Sequence, residues 1–175
     1  MKVMYVGGLV AALAISAGNA SAQGVTDPQI AAIVVTANQV DIDAGKLAAA
    51  RGTDPEVKKY GEQMVAAHTG VNKSATELVT KLKVKPEENA TSKALQAGGD
   101  KNLANLKSLK GGAFDQAYID NEVAYHQQVL DAVDKTLIPS ASNAELKALL
   151  VKVRPAFVAH LEHAKQLQSS LAKSK

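Results

Sequence analysis

The sequence predicts an all-α fold, and three observations carry that prediction. Apolar residues recur at alternating steps of four and three over four long segments. Those segments open on capping side chains and on prolines suited to a first helical turn. The composition is 46% hydrophobic and rich in Ala, Lys, Leu and Val, with few turn residues inside the long segments and no convincing strand.

The first helix is expected over residues 27–51, opened by Asp27-Pro28 and closed at Arg51-Gly52. The second, 54–83, opens on the same device in Asp54-Pro55-Glu56, and so short a connection makes the two an antiparallel hairpin. The third is expected over 112–137, followed by a turn through Ile138-Pro139-Ser140. The fourth, 143–172, follows a capping box in Ser142-Asn143-Ala144-Glu145 and is bent by Pro155, which lacks a backbone donor. Residues 84–111, punctuated by Pro86, Gly98-Gly99 and Gly111-Gly112, read as a long crossover with short helical pieces near 92–96 and 101–109. Two antiparallel hairpins joined by one long crossover make a four-helix bundle of ferritin-like topology.

Residues 1–22 read as a cleaved signal peptide: Lys2, an apolar run from Val3 to Ile15, and the small-residue end Ala20-Ser21-Ala22. The expected mature chain, 23–175, is then a single exported domain, periplasmic or secreted, with nothing to insert stably in a membrane after cleavage. There is no cysteine, which excludes disulfides, thiolate metal sites and covalent haem attachment. The net charge of +3 falls by one with Lys2, and the lysines are interleaved with glutamates as on a solvated face. With 4 Tyr, 2 Phe and no Trp, stacking platforms for bases are lacking, so nucleic acid is not expected as a partner. No other partner is indicated, and a homo-oligomer is left open.

Each long helix carries one metal-compatible side chain where its apolar seam should continue: Asp41, His68, His126 and His160. In the second helix Val57, Gly61, Met64, His68, Val71, Ala75 and Leu78 keep the seam spacing; in the third Ile119, Val123, His126, Leu130 and Val133 do; in the fourth Val153, Phe157, His160, Ala164 and Leu167. At about 1.5 Å rise per residue the four levels fall within about two helical turns of one another. Glu122 precedes His126 by four residues on the same face, and His163 follows His160 at the seam edge, as a lower-ranked ligand or a supporting group. Imidazoles and carboxylates in a bundle core suit a divalent transition metal such as zinc, copper or iron. The competing reading is a metal-free polar layer in an envelope interaction or stress-protective module. An Ala-rich interior offers few aromatic walls for a non-covalent haem. No Glu-x-x-His pair occurs, which disfavours di-iron oxygen chemistry, and no hydrolase motif is present, so no catalytic residue is assigned.

The segments Asp41-Ile42-Asp43-Ala44-Gly45-Lys46-Leu47-Ala48, Val57 to Met64 with His68 and Asn72, Phe114-Asp115-Gln116-Ala117-Tyr118-Ile119 with Glu122 and His126, and His160-Leu161 with Ala164 resemble the bacterial exported proteins of domain-of-unknown-function family 4142. The resemblance spans essentially the whole mature chain. It implies a ferritin-like four-helix domain, commonly labelled a membrane or outer-membrane protein, with no established reaction. The family usually places glutamate where Asp41 stands and an acid where this chain has Ala67.

Overall fold

The computed structural model describes residues 24–173, and every described element is helical. The expected signal peptide, 1–22, lies outside the described residues. Six helices follow in order: α1 Asp27–Arg51, α2 Pro55–Lys81, α3 Ala90–Ser108, α4 Gly111–Ala132, α5 Ile138–Ser140 and α6 Ala144–Lys173, with a widened π turn, Val133–Leu137, joining α4 to α5. No helix among the described residues is long and apolar enough to cross a membrane.

Two helix starts differ from the sequence expectation by one residue, for the same reason. Thr26, not Asp27, caps α1: its hydroxyl accepts from Gln29 N–H while the Gln29 side chain accepts from Thr26 N–H. That frees the Asp27 carboxylate to accept from the Ser142 and Asn143 amides at 2.9 and 3.0 Å, tying the start of α6 to the start of α1. Asn143 rather than Ser142 then caps α6, accepting from Glu145 and Leu146 N–H. Asp54 caps α2 as expected, accepting from Glu56 N–H at 2.8 Å.

The crossover differs more. Its expected short pieces are one continuous helix, α3, which passes through Gly98-Gly99 without a break. Gly99 is there for closeness: a Cβ would lie 2.7 Å from a Val40 methyl, so the missing side chain lets α3 lie on α1. Arg51 at the end of α1 donates to the Lys107 and Leu109 carbonyls, at 3.1 and 2.8 Å, and so anchors the far end of α3. The helical path also continues beyond residue 137 into Pro139, where a turn was expected. The widening just before it, with Ile138 N–H reaching the Val133 carbonyl, falls where proline withdraws a backbone donor. Pro155 likewise sits inside α6, which runs through it unbroken.

α1 packs most extensively on α2, α4 on α6, and α3 along α1. The α1–α2 crossing is set by Gly45 and Gly61, since a Cβ on Gly61 would stand 2.7 Å from the Gly45 carbonyl oxygen and 2.9 Å from the Ala49 amide. Backbone cannot step aside as a side chain can. Gly61→Ala is therefore expected to cost about 1–3 kcal/mol by forcing the helices apart, whereas Gly70→Ala, with nothing within 4 Å, should stabilise by about 0.4–1 kcal/mol. Urea unfolding midpoints of the two variants check the contrast.

The α1–α2 turn is held from α4. Both Asp115 oxygens lie within reach of Thr53 N–H, the nearer at 2.9 Å, and one also accepts from Asp54 N–H at 2.9 Å. Asp115 is 2% exposed, so Asp115→Ala leaves two backbone donors poorly satisfied and should destabilise by about 1–3 kcal/mol, read as a lowered thermal midpoint.

The apolar interior divides into two large halves, with a polar layer and a small third cluster of Leu130, Phe157 and Leu161 between them. One half gathers Ala44, Ala48, Val57, Tyr60, Met64, Phe114, Tyr118, Ile119, Ala164 and Leu167. The other gathers Ile30, Ile33, Val34, Ala75, Val133, Leu137, Leu146 and Leu150. Between the halves each long helix carries polar residues: Asp41 on α1, His68 on α2, Glu122 and His126 on α4, His160 on α6.

Candidate metal centre

The four long helices deliver these side chains to one place because the seam spacing holds through the layer. Asp41, His68, Glu122 and His126 are each between 1% and 3% exposed. His160 is partly buried. The three imidazoles form a nearly equilateral triangle, with ring centroids 5.6 Å apart for His68–His126, 5.3 Å for His68–His160 and 5.4 Å for His126–His160. Phe157, one turn before His160 on α6, stacks flat on His68 at 5.3 Å and closes that side.

The carboxylates enter from α1 and α4. Asp41 Oδ2 lies 2.7 Å from His68 Nε2 and 3.5 Å from His126 Nε2, and Glu122 Oε2 lies 3.5 Å from His126 Nδ1. The other ring nitrogens are spoken for: His68 Nδ1 is 2.7 Å from Asn38 Oδ1, and His126 Nδ1 is 3.0 Å from the Glu122 carbonyl oxygen. Asn38 is held in turn by donating to the Val34 carbonyl at 2.8 Å. Such partners on Nδ1 orient each ring and leave Nε2 as the ligating atom.

Those Nε2 atoms have no aligned hydrogen bond. His68 Nε2, His126 Nε2, both Asp41 oxygens, both Glu122 oxygens and His160 Nδ1 are all buried without one, although several lie at ion-pair distance. Buried lone pairs that approach closely without pointing at one another are costly unless a further group collects them. A metal ion is such a group. One nitrogen each from His68, His126 and His160 lie within 4.8 Å of one another, and so do donor atoms of Asp41, Glu122 and His126. Nitrogen and oxygen ligands 2.0–2.2 Å from a tetrahedral zinc stand about 3.3 Å apart. A modest contraction would therefore complete a first shell, and these buried groups could hold a metal ion.

Electrostatics split the two carboxyls. Burial pushes Asp41 up, but the close His68 ring, with help from His126, outweighs it and holds its carboxyl below the ordinary value. Glu122 goes the other way: burial, then the Asp41 charge, raise it well above the usual carboxylate range. Burial lowers both His126 and His160, the latter to about 4. Burial and the neighbouring charges thus favour the ionised form of Asp41, the protonated form of Glu122 and neutral His126 and His160 rings.

His163 is placed elsewhere: its ring meets the edge of Tyr60 at 5.2 Å, and it belongs to neither group of converging donors. Three residues not singled out from sequence support the layer. Asn38 orients His68; it lies three residues before Asp41 on the same face of α1, a polar interruption that could have flagged it. Tyr60 donates to the His160 carbonyl at 3.2 Å. Tyr118, one turn before Glu122, has a buried hydroxyl with no aligned partner, and burial above all pushes it up.

Searches among curated proteins and among solved structures give no match. Residues 12–167 match the family described as "Domain of unknown function (DUF4142)", and a match over that much of the sequence, carrying all five converging side chains, places this chain in the DUF4142 family.

Proposed function

We propose that the protein is an exported four-helix bundle of ferritin-like topology that binds one divalent transition metal ion in its core. His68, His126 and His160 supply the imidazoles, Asp41 supplies the ionised carboxylate, and Glu122 assists. The observation that carries this reading is the set of buried Nε2 and carboxylate atoms that meet in one layer without satisfying one another. A histidine-rich donor set with two carboxylates favours zinc, copper or iron over calcium or magnesium. The packing of α1 on α2 and α4 on α6, with α3 as the crossover along α1, supports the bundle topology.

The metal-free reading also has an observation behind it. Asn38, His68 and Asp41 form a chain of close polar contacts that partly satisfies the layer unaided. Elemental analysis of protein purified without a histidine tag, followed by zinc and copper titration after chelator treatment, separates the two. About one equivalent of tightly held metal is expected. Absence of binding at micromolar metal would sink the proposal and leave a polar layer in a helical interaction module.

A further inference from the structure

Beside the candidate metal centre, and bordered by its His68 and His126 rings, lies a cavity of about 320 Å³ whose other walls the metal reading does not use. It opens between α3 and α4, which barely touch because α3 leans on α1 instead. The face that α3 turns to it is sparsely filled: Leu95 is its one large apolar side chain, while Thr91, Ala94, Gly98 and Asn102 recur at steps of three and four where further large residues would have closed the space. The walls are mostly aliphatic, from α1, α4 and α6. Two of the lining side chains are His68 and His126, both buried, and both with an Nε2 that lacks an aligned hydrogen bond.

We infer that this cavity is a binding site for a neutral, largely apolar small molecule with a single polar group directed at the imidazoles. The size follows from volume: a dry cavity of about 150 Å³ holds benzene, so this one suits a molecule of about a dozen non-hydrogen atoms. Neutrality follows from the lining. No lysine, arginine, aspartate or glutamate contributes to it, so an ionised ligand would meet no compensating charge in an apolar enclosure. One polar group is what the buried edge of the imidazoles calls for. The cavity shares the His68 and His126 rings with the proposed metal centre, whereas its other walls and its opening are built by residues outside the ligand set.

The test uses the full chain after chelator treatment, with 2-naphthol as neutral probe and 2-naphthoate as its anionic counterpart, followed by calorimetry and probe fluorescence. Saturable binding of one 2-naphthol is expected, with 2-naphthoate at least tenfold weaker. Gly98→Leu should weaken 2-naphthol at least tenfold by filling the opening: a Cβ there meets nothing within 4 Å, so the helix accepts the side chain. Ala132→Leu, from the opposite wall, should do the same, and thermal melts confirm that each variant is folded. No saturable binding by wild type, equal affinity for the two probes, or unchanged affinity in both folded variants would each overturn the inference. Zinc titration of Gly98→Leu is run alongside. Retained zinc binding with lost naphthol binding separates this cavity from the metal centre, and failure of zinc binding alone leaves the cavity result standing.

Discussion

His126→Ala is expected to abolish stoichiometric metal uptake, with a loss of affinity of at least 100-fold. His126 is the one side chain that belongs to both groups of converging donors: it stands with His68 and His160 on one side and with Asp41 and Glu122 on the other. Removing it takes a ligand and also releases the contact that keeps Glu122 near the centre, Oε2 to Nδ1 at 3.5 Å. The consequence extends to stability. A ligand that binds only the folded state adds RT ln(1 + [L]/Kd), about 2.7 kcal/mol at one hundred times Kd, so zinc should raise the thermal midpoint of wild type by several degrees and leave the variant unmoved. His163→Ala is the internal control. Its ring packs on Tyr60 away from the converging donors, so the zinc affinity of that variant should stay within about threefold of wild type. Equal zinc stabilisation of wild type and His126→Ala would count against the proposed ligand set.

Glu122→Gln should separate stability from binding. The Glu122 carboxyl titrates well above its ordinary value in the folded chain, first through burial and then through the Asp41 charge. A native state that keeps a proton the unfolded state has released loses stability as pH rises. Below the unfolded value of 4.5 both states are protonated and the effect vanishes; above it the metal-free protein is progressively penalised. Glutamine never ionises, so the metal-free variant should be more stable than wild type near pH 8 by on the order of a few kcal/mol. The acid side has the opposite sign. His160 titrates near 4 when folded and at about 6.5 when unfolded, so the unfolded chain takes the proton first and stability falls as pH drops from about 6.5 towards 4. His126, lowered by burial, adds to that fall. Wild type without metal should therefore show a maximum in stability, and Glu122→Gln should flatten the alkaline side and steepen the rise between about pH 4.5 and 6.5. Urea midpoints from pH 4 to 8 in the presence of chelator read this directly, and parallel profiles for the two proteins would contradict it. With zinc the order reverses: the variant should bind more weakly, because a carboxylate that ionises on metal arrival is a better ligand than an amide.

Opposite effects of one substitution on the empty and loaded protein identify a site whose groups are held at a cost. Asp41 and Glu122 are both buried to 1% exposure in a layer that aliphatic side chains could have filled. Hydrophobic replacement of such a layer is often stabilising. The polar layer is thus a cost to the metal-free fold, and under the proposed function metal binding would offset it.

The helices and the layer were legible in the sequence because both are periodic. A seam broken once per helix by Asp41, His68, His126 and His160 is visible in the spacing alone, and the rise per residue sets the four breaks at similar heights. The helix ends were readable to within a residue or two, since caps are local: where Thr26 replaced Asp27, and Asn143 replaced Ser142, the choice lay among neighbouring side chains that can all accept the same amides. Gly98-Gly99 was read as a break because glycine is a poor helix former on its own. Only contact with Val40 shows that its role is to let two helices touch.

What the amino-acid order determined by itself is therefore one-dimensional: which segments are helical, which face of each is apolar, and at what height a polar residue interrupts it. Tertiary packing alone decided which atoms meet. It put Asp41 Oδ2 against His68 Nε2 and not merely on the same level, turned His163 towards Tyr60 although it lies only three residues from His160, recruited Asn38 to orient a ring, and left a cavity where α3 lies on α1 and stands off α4. The physical reason is that periodicity specifies an angle and a height on one helix, whereas contact depends on how far apart two helices sit, and that distance is set by residues such as Gly45, Gly61 and Gly99, whose lack of a side chain admits partners far away along the chain.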